Sequence, residues 1–147
     1  MRYVKNLREK VGNEPLLLVK ISIVVFDRQG NILLKKEEDG HWCLPCGFME
    51  VDESTEEAGR RKVKEDTGIE VGELSLLGIF SGKKYFQETE SGEQFYPITI
   101  NYHSTDIRSV EDQKDFQTIR FFPIDRLPAH ISLHTKKVIH HYGSSFY

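Results

Sequence analysis

At 147 residues the chain has the length of one domain with a substantial buried core. Twenty Lys and Arg against 23 Asp and Glu leave a net charge of −3, which argues against a surface for polymeric DNA or RNA. No apolar run approaches the roughly 18 residues of a membrane span and no signal-peptide core stands near the start, so the expectation is a single cytoplasmic domain over residues 1–147 without a membrane partner.

Val4, Leu7, Arg8 and Val11 stand at helical spacing, with Gly12 as a stop and Pro15 beyond. The N-terminal segment (residues 1–14) is therefore predicted to form a short amphipathic helix. Its apolar face can pack on its own domain or in a homodimer, and the sequence leaves both open. Leu16 to Phe26 is rich in β-branched and aliphatic residues, is bounded by Pro15 and Asp27-Arg28-Gln29-Gly30, and reads as a buried central strand. Asn31 to Lys36 follows as a second strand, ending in two lysines that either face a ligand phosphate or are solvated.

The stretch from Trp42 to Ile69 carries the chemistry. Trp42-Cys43-Leu44-Pro45-Cys46 resembles the Trp-Cys-Gly-Pro-Cys site of thioredoxins, in which the first Cys opens a helix that lowers its pKa. Here Gly47 and an acidic loop follow instead, and the electrostatic support for a redox thiol is missing. Two cysteines also cannot build a four-thiolate zinc site within one subunit. Ser54 with Glu57 three residues on is a capping box, so a helix should start at about Thr55 and end at Gly68. At 100° per residue, Ala58, Arg61, Lys62, Glu65 and Asp66 share one side. Glu50, Asp52 and Glu53 precede the helix in a loop that must fold back against it. Such oxygen-rich clusters suit Mg²⁺, and the chemistry implied is metal-assisted attack of water on a phosphate ester or anhydride. The plainer alternative is a solvated acidic loop.

Beyond the helix, Leu74 to Ser81 is predicted as an apolar strand. Lys84 to Gln87 and Gln94 to His103 then read as a hairpin around Ser91-Gly92, with Pro97 marking an edge or a bulge. Tyr85, Phe86, Phe95 and Tyr96 offer either nucleobase-stacking surface or core. Ser109 to Phe116 reads as a polar loop, Thr118 to Phe122 as a strand, and residues 130–147 as a C-terminal segment whose helix spans Ser132 to Tyr142 with Leu133, Val138 and Ile139 inward. His130, His134 and His141 could share a face and bind a transition metal, but the adopted reading is scattered surface histidines.

Gly47, Glu53, Arg61, Val63, Glu65, Asp66, Gly68 and Ile69 closely resemble the Nudix box, G-x5-E-x7-R-E-U-x-E-E-x-G-U with U aliphatic, and Trp42-Cys43-Leu44-Pro45 resembles its lead-in. The resemblance implies an α/β (α+β) Nudix fold, an α-β-α sandwich with a mixed sheet. It implies a Mg²⁺- or Mn²⁺-dependent hydrolase, similar to MutT, that cleaves the pyrophosphate of a nucleoside diphosphate linked to another moiety. Glu65 and Asp66 would then hold metal, with the Cys46 carbonyl in place of the first glycine of the Gly-Gly pair. Glu53 would assist metal or water, and Arg61 would anchor the acidic loop. Asp115 best matches an extra acid that serves as ligand or base, with Asp112 and Glu111 as alternatives. Lys35, Tyr85 and Phe95 would meet the nucleotide substrate. Tyr85 lies 16 residues past Ile69, where the dinucleoside polyphosphate branch tends to carry Tyr, and the proline of the ADP-ribose branch is absent. The main departure is Lys62, which replaces a metal-binding glutamate. A unit charge about 4 Å from a metal opposes it by roughly 4 kcal/mol per metal charge at an effective dielectric near 20. That substitution motivates a second reading, a non-catalytic nucleotide-binding or regulatory module of the same fold.

Overall fold

The computed structural model describes residues 2–111 and 117–143. In chain order the elements are α1 (Arg2–Val11), β1 (Leu16–Val25), β2 (Ile32–Lys36), β3 (Trp42–Cys43), β4 (Cys46–Phe48), α2 (Thr55–Thr67), β5 (Ile69–Val71), β6 (Ser75–Phe80), β7 (Gln87–Glu88), β8 (Gln94–Ser104), β9 (Ile107–Val110), β10 (Ile119–Phe122) and α3 (Leu133–Tyr142). The main sheet runs β4-β1-β8-β6, with β7 also on β8. β1 and β8 are parallel from Leu16↔Phe95 to Val25↔Ser104, and the other pairings are antiparallel, so the sheet is mixed. Two smaller sheets, β10-β2-β3 and β5-β9, complete the structure.

Strand β1 sets the layering through its period of two. Ile21, Ile23 and Val25 point to one side, where they join Ala58 and Val63 of α2 with Leu33, Ile69, Val71 and Tyr102. Val24 points to the other, into a cluster with Leu34, Trp42, Leu44, Phe80, Phe122 and Val138 of α3. The result is an α-β-α sandwich. Burying each aliphatic side chain contributes about 1.5–3 kcal/mol, so these two clusters carry most of the cohesion. Gly59 lets α2 come close, because a Cβ there would stand 2.5 Å from Ile23 Cδ1. Helix α1 uses its apolar face on its own chain: Val4 is buried with Leu18 and Phe95.

Three local expectations change. Lys83–Tyr85 is a short 3-10 turn, and the hairpin strand begins only at Gln87, after the turn closes with the Phe86 N–H on the Lys83 carbonyl. Ile107–Val110, expected in part as loop, is a strand because its backbone pairs with β5. Leu133 faces outward, 67% exposed, and buried Thr135 takes the inner position. Pro97 does sit at a local edge: it pairs with Leu18 on one side, while on the other side β7 stops at Phe95 and β6 reaches only Thr99. Among the described residues no helix is long and apolar enough to cross a membrane.

Candidate active site

Helix α2 is fixed at both ends as its sequence requires. The Glu57 N–H donates to Ser54 Oγ at 3.0 Å, the Ser54 N–H donates to Glu57 Oε1 at 3.1 Å, and Gly68 closes the helix in the left-handed region at φ 76°. The acidic loop ahead of it turns at Asp52, also left-handed at φ 68°, a conformation that Asp adopts more readily than most residues. This turn returns Glu53 to the helix. Arg61 grips its carboxylate with two bonds, Nε to Oε2 at 2.9 Å and Nη2 to Oε1 at 2.8 Å. Arg61 also donates to the Phe48 carbonyl at 3.2 Å and reaches Glu65 Oε2 at 3.1 Å. A single guanidinium thus joins β4, the loop and the helix. The Arg61 bonds, together with the Glu50 N–H, hold the Glu53 carboxyl below its ordinary range, and Arg61 itself is driven up by Glu53.

The Glu50 side chain does not join that cluster. Its carboxylate accepts from the N–H groups of Arg2 and Tyr3 at 2.9 and 2.7 Å, where it caps the start of α1.

One turn along α2, the predicted metal ligands meet two lysines. Lys62 Nζ lies 3.2 Å from Asp66 Oδ1 and 4.0 Å from Glu65 Oε2. Lys35, on the face of β2 that also carries Leu33, lies 3.1 Å from Asp66 Oδ2 and 3.1 Å from Glu37 Oε1. Burial alone would depress Lys35, but Asp66 and Glu37 more than reverse it and keep the ammonium charged. The Asp66 side chain is 10% exposed and that of Glu65 52%, so the former is held within the protein and the latter opens to solvent. Gly47 lies beside them: a Cβ there would fall 2.5 Å from Lys62 Cε, so the lysine stem lies against bare backbone.

Glu65 and Asp66 are hard oxygen donors, in the number that Mg²⁺ takes from a protein when waters and substrate phosphates complete its shell. Among the described residues no third His, Cys, Asp or Glu joins them. The pair therefore fits a divalent cation in kind and number, while the ammonium groups of Lys62 and Lys35 compete for the same oxygens. Cys46, half-buried in β4, pairs with Ser22. Asp115 and Asp112 lie outside the described residues. Glu111 lies within them, exposed, with its N–H on the Gly68 carbonyl at the end of α2.

The structure gathers Lys35, Glu53, Arg61, Glu65 and Asp66 on the α2 side of the sheet and places Tyr85 and Phe95 on the other. Phe95 is buried, edge-on to Phe48 with centroids 5.3 Å apart, and belongs to the core. Tyr85 stacks on Phe80 at 5.4 Å, with Lys137 Nζ 4.7 Å and Lys84 Nζ 5.3 Å from its centroid. Its ring faces are therefore already engaged. Cys43 is buried with its thiol on Glu37 at 3.3 Å, and burial first, then Cys46 and Glu37, push its pKa up, which is the reverse of an activated redox thiol. His134 is not a surface residue: it packs edge-on against Phe80 at 6.0 Å, and its Nε2 is buried. Sequence reasoning missed the Lys35 bridge to Asp66, although Lys35 shares the inward phase of Leu33 along β2.

These elements define an α-β-α sandwich with a charged helix face set against a glycine strand end. The chain belongs to the Nudix family: the NUDIX domain model matches residues 16–142. A MutT-like protein of Streptomyces ambofaciens is 34% identical over 73 residues, covering 49% of this chain and 47% of that one. An ADP-ribose pyrophosphatase of Methanocaldococcus jannaschii is 27% identical over 122 residues, covering 80% and 69%. The chain spans about half the length of two of the curated relatives it matches. Among solved structures, a MutT NUDIX hydrolase from Burkholderia pseudomallei superposes with a TM-score of 0.60 at 27% identity, covering 84% of this chain and 96% of that one. The NUDIX domain of Shewanella oneidensis NrtR, crystallised with ADP ribose, gives 0.68 at 19% identity, covering 99% and 97%, a likeness of fold alone.

Proposed function

We propose that the protein is a pyrophosphohydrolase that acts on a nucleoside diphosphate joined to another moiety. The observation that carries this reading is the Glu65 and Asp66 pair on one face of α2, beside Gly47, with Glu53 locked in place by Arg61. Glu65 and Asp66 would hold Mg²⁺ or Mn²⁺, with the Cys46 carbonyl as a further donor. When bound, the ion supplies Lewis-acid polarisation of a phosphoryl oxygen and a more acidic water. The protein's own contribution is positional. Lys35 and Lys62 present ammonium groups to the bridging phosphates, and Arg61 and Glu53 fix the loop that frames them. Asp115 is the candidate base.

The test is a panel of ADP-ribose, dinucleoside polyphosphates, nucleotide sugars and oxidised nucleoside triphosphates, assayed with Mg²⁺, with Mn²⁺ and with a chelator. Release of a nucleoside monophosphate that needs the metal is expected for at least one member. Silence across the panel, with ligand affinity retained, would move the assignment to a binding module.

A further inference from the structure

Helix α1 meets the rest of the chain at three places. At its C-terminal end Arg8 donates to the carbonyls of Gly12 and Glu14 at 3.1 and 2.7 Å and to that of Gln94 in the β7-β8 hairpin, with Glu93 3.8 Å from its Nε. In the middle, Val4 is buried against Leu18 and Phe95. At its N-terminal end the Glu50 carboxylate accepts from the Arg2 and Tyr3 N–H groups at 2.9 and 2.7 Å. The first turn of α1 holds no acidic residue of its own. A side chain of the acidic loop, 48 positions beyond Arg2, therefore satisfies donors that a helix start leaves orphaned.

The same residue supports the candidate site through its backbone. After the Met49 N–H closes on the Val19 carbonyl at 2.9 Å, the chain leaves the sheet and enters α2 only at Thr55. Within that stretch Asp52 is left-handed at φ 68°, so the folded-back loop is not a shape that its local backbone favours unaided. Glu53 Oε1 accepts from the Glu50 N–H at 2.8 Å and from Arg61 Nη2 at 2.8 Å. Arg61 thus holds Glu53 from the helix side, and Glu50 holds it from the loop side with α1 as its support. A continuous series of bonds runs from the α1 backbone, through the Glu50 side chain and then its N–H, to Glu53, Arg61 and Glu65.

We infer that Glu50 is a positioning residue that ties α1 to the box, so that the docking of α1 sets the placement of Glu53 and Arg61. Because Arg8 fastens the other end of the helix to the hairpin at Gln94, a disturbance there reaches the box along 10 residues of helix, a span of about 15 Å. The consequence for turnover rests on the hydrolytic reading above, whereas the coupling itself needs neither metal nor substrate.

The experiment loosens α1 at its two ends and reads the site by NMR of the full chain without metal. Glu50→Gln keeps the shape of the side chain but replaces a charged acceptor with a neutral one. Arg8→Met loosens the far end, where the bonds go to Gly12, Glu14 and Gln94 rather than to the box. The reporter is the Arg61 Nε–H, which donates to Glu53 Oε2 at 2.9 Å. Glu50→Gln is expected to speed amide exchange at Tyr3 about tenfold, the difference between a charged and a neutral acceptor, and to speed exchange at Arg61 Nε–H with it. Arg8→Met is expected to speed Arg61 Nε–H exchange too, and the double variant to add little, because α1 is already released. With a responsive substrate, kcat should fall in both variants while KM changes little, as for groups that position rather than bind. Unchanged shifts across β6 and β8 show that the variants are folded; where Arg8→Met disturbs them, Arg8→Lys, which keeps the charge but loses the fork, takes its place. Arg61 Nε–H exchange that neither variant alters would overturn the inference and leave hydrolysis untouched. A response to Glu50→Gln with none to loosening at Arg8 would also overturn it, since Glu50 would then be a local brace, as would faster Arg61 exchange beside a native kcat. A silent substrate panel beside a shared Arg61 response would overturn the hydrolytic reading and leave the coupling in place.

Discussion

Removing the Arg61 guanidinium is the sharpest structural perturbation available. In Arg61→Met the stem is kept, but Glu53 loses both of its bonds to Nε and Nη2, and the Phe48 carbonyl loses its donor. Hydrogen bonds to charged groups contribute about 1.5–3 kcal/mol each when they are shielded, and the pair to Glu53 shares one cation, so the two count together as about 2–3 kcal/mol. The contact with half-exposed Glu65 adds at most about 0.5 kcal/mol. A total near 3 kcal/mol corresponds to a fall in Tm of roughly 6–12 °C for a domain of this size. Arg61→Lys keeps the charge but not the fork, and should recover less than half of the loss. The effect also has a pH signature. Because Arg61 depresses the folded-state pKa of Glu53, its contribution is complete above the carboxylate's unfolded value, about 4.3, and disappears as pH falls through the lower folded value. Urea unfolding of native protein and Arg61→Met at pH 7 and at successively lower pH reads both. A gap under 1 kcal/mol at pH 7, or one that does not shrink in acid, would refute the anchoring role.

Gly59→Ala should cost about 1–3 kcal/mol, since the new methyl meets Ile23 Cδ1, and Ile23→Val in the same chain, which removes that atom, should restore part of it in a double-mutant cycle. Thr135→Val strips the acceptor of the Leu44 N–H, at 3.1 Å, and should lower stability by about 1–3 kcal/mol in denaturant titrations. Cys43, buried and pushed up in pKa, should stay unreactive toward a thiol reagent at pH 8 until the protein is unfolded; prompt labelling of two thiols in the native state would contradict the burial described.

The parts that could be read from sequence are those in which local chemistry decides. Ser54, Glu57 and Gly68 mark the ends of α2 because capping is satisfied within a few residues, and β1 declares itself by an apolar run bounded by Pro15 and a turn. That Arg61 pairs with a carboxylate of the loop is implied only by the resemblance to the Nudix box, and the folded chain shows that carboxylate to be Glu53. What failed depends on distant partners. Strand β9 exists because β5 accepts it, which no local pattern in Ile107–Val110 reveals. Helical periodicity puts Leu133 inward, but the Ser132 cap begins α3 with Leu133 turned to solvent and Thr135 beneath. The Lys35 bridge to Asp66 joins a strand and a helix far apart in the chain, so only the assembled fold shows it.

The central claim is that the α2 face works as a hydrolytic site although Lys62 stands where the resemblance expects a carboxylate. The most direct test is hydrolysis of a responsive panel substrate across a Mn²⁺ titration, for the native protein beside Lys62→Glu, with Mn²⁺ binding followed in parallel by electron paramagnetic resonance. The expected result is saturable, metal-dependent turnover in both, with Lys62→Glu binding and half-saturating at a Mn²⁺ concentration at least about tenfold lower, because an ammonium that costs several kcal/mol at close range has become a ligand. Native protein that binds nucleotide yet shows no metal-dependent turnover, beside an active Lys62→Glu, would contradict the claim.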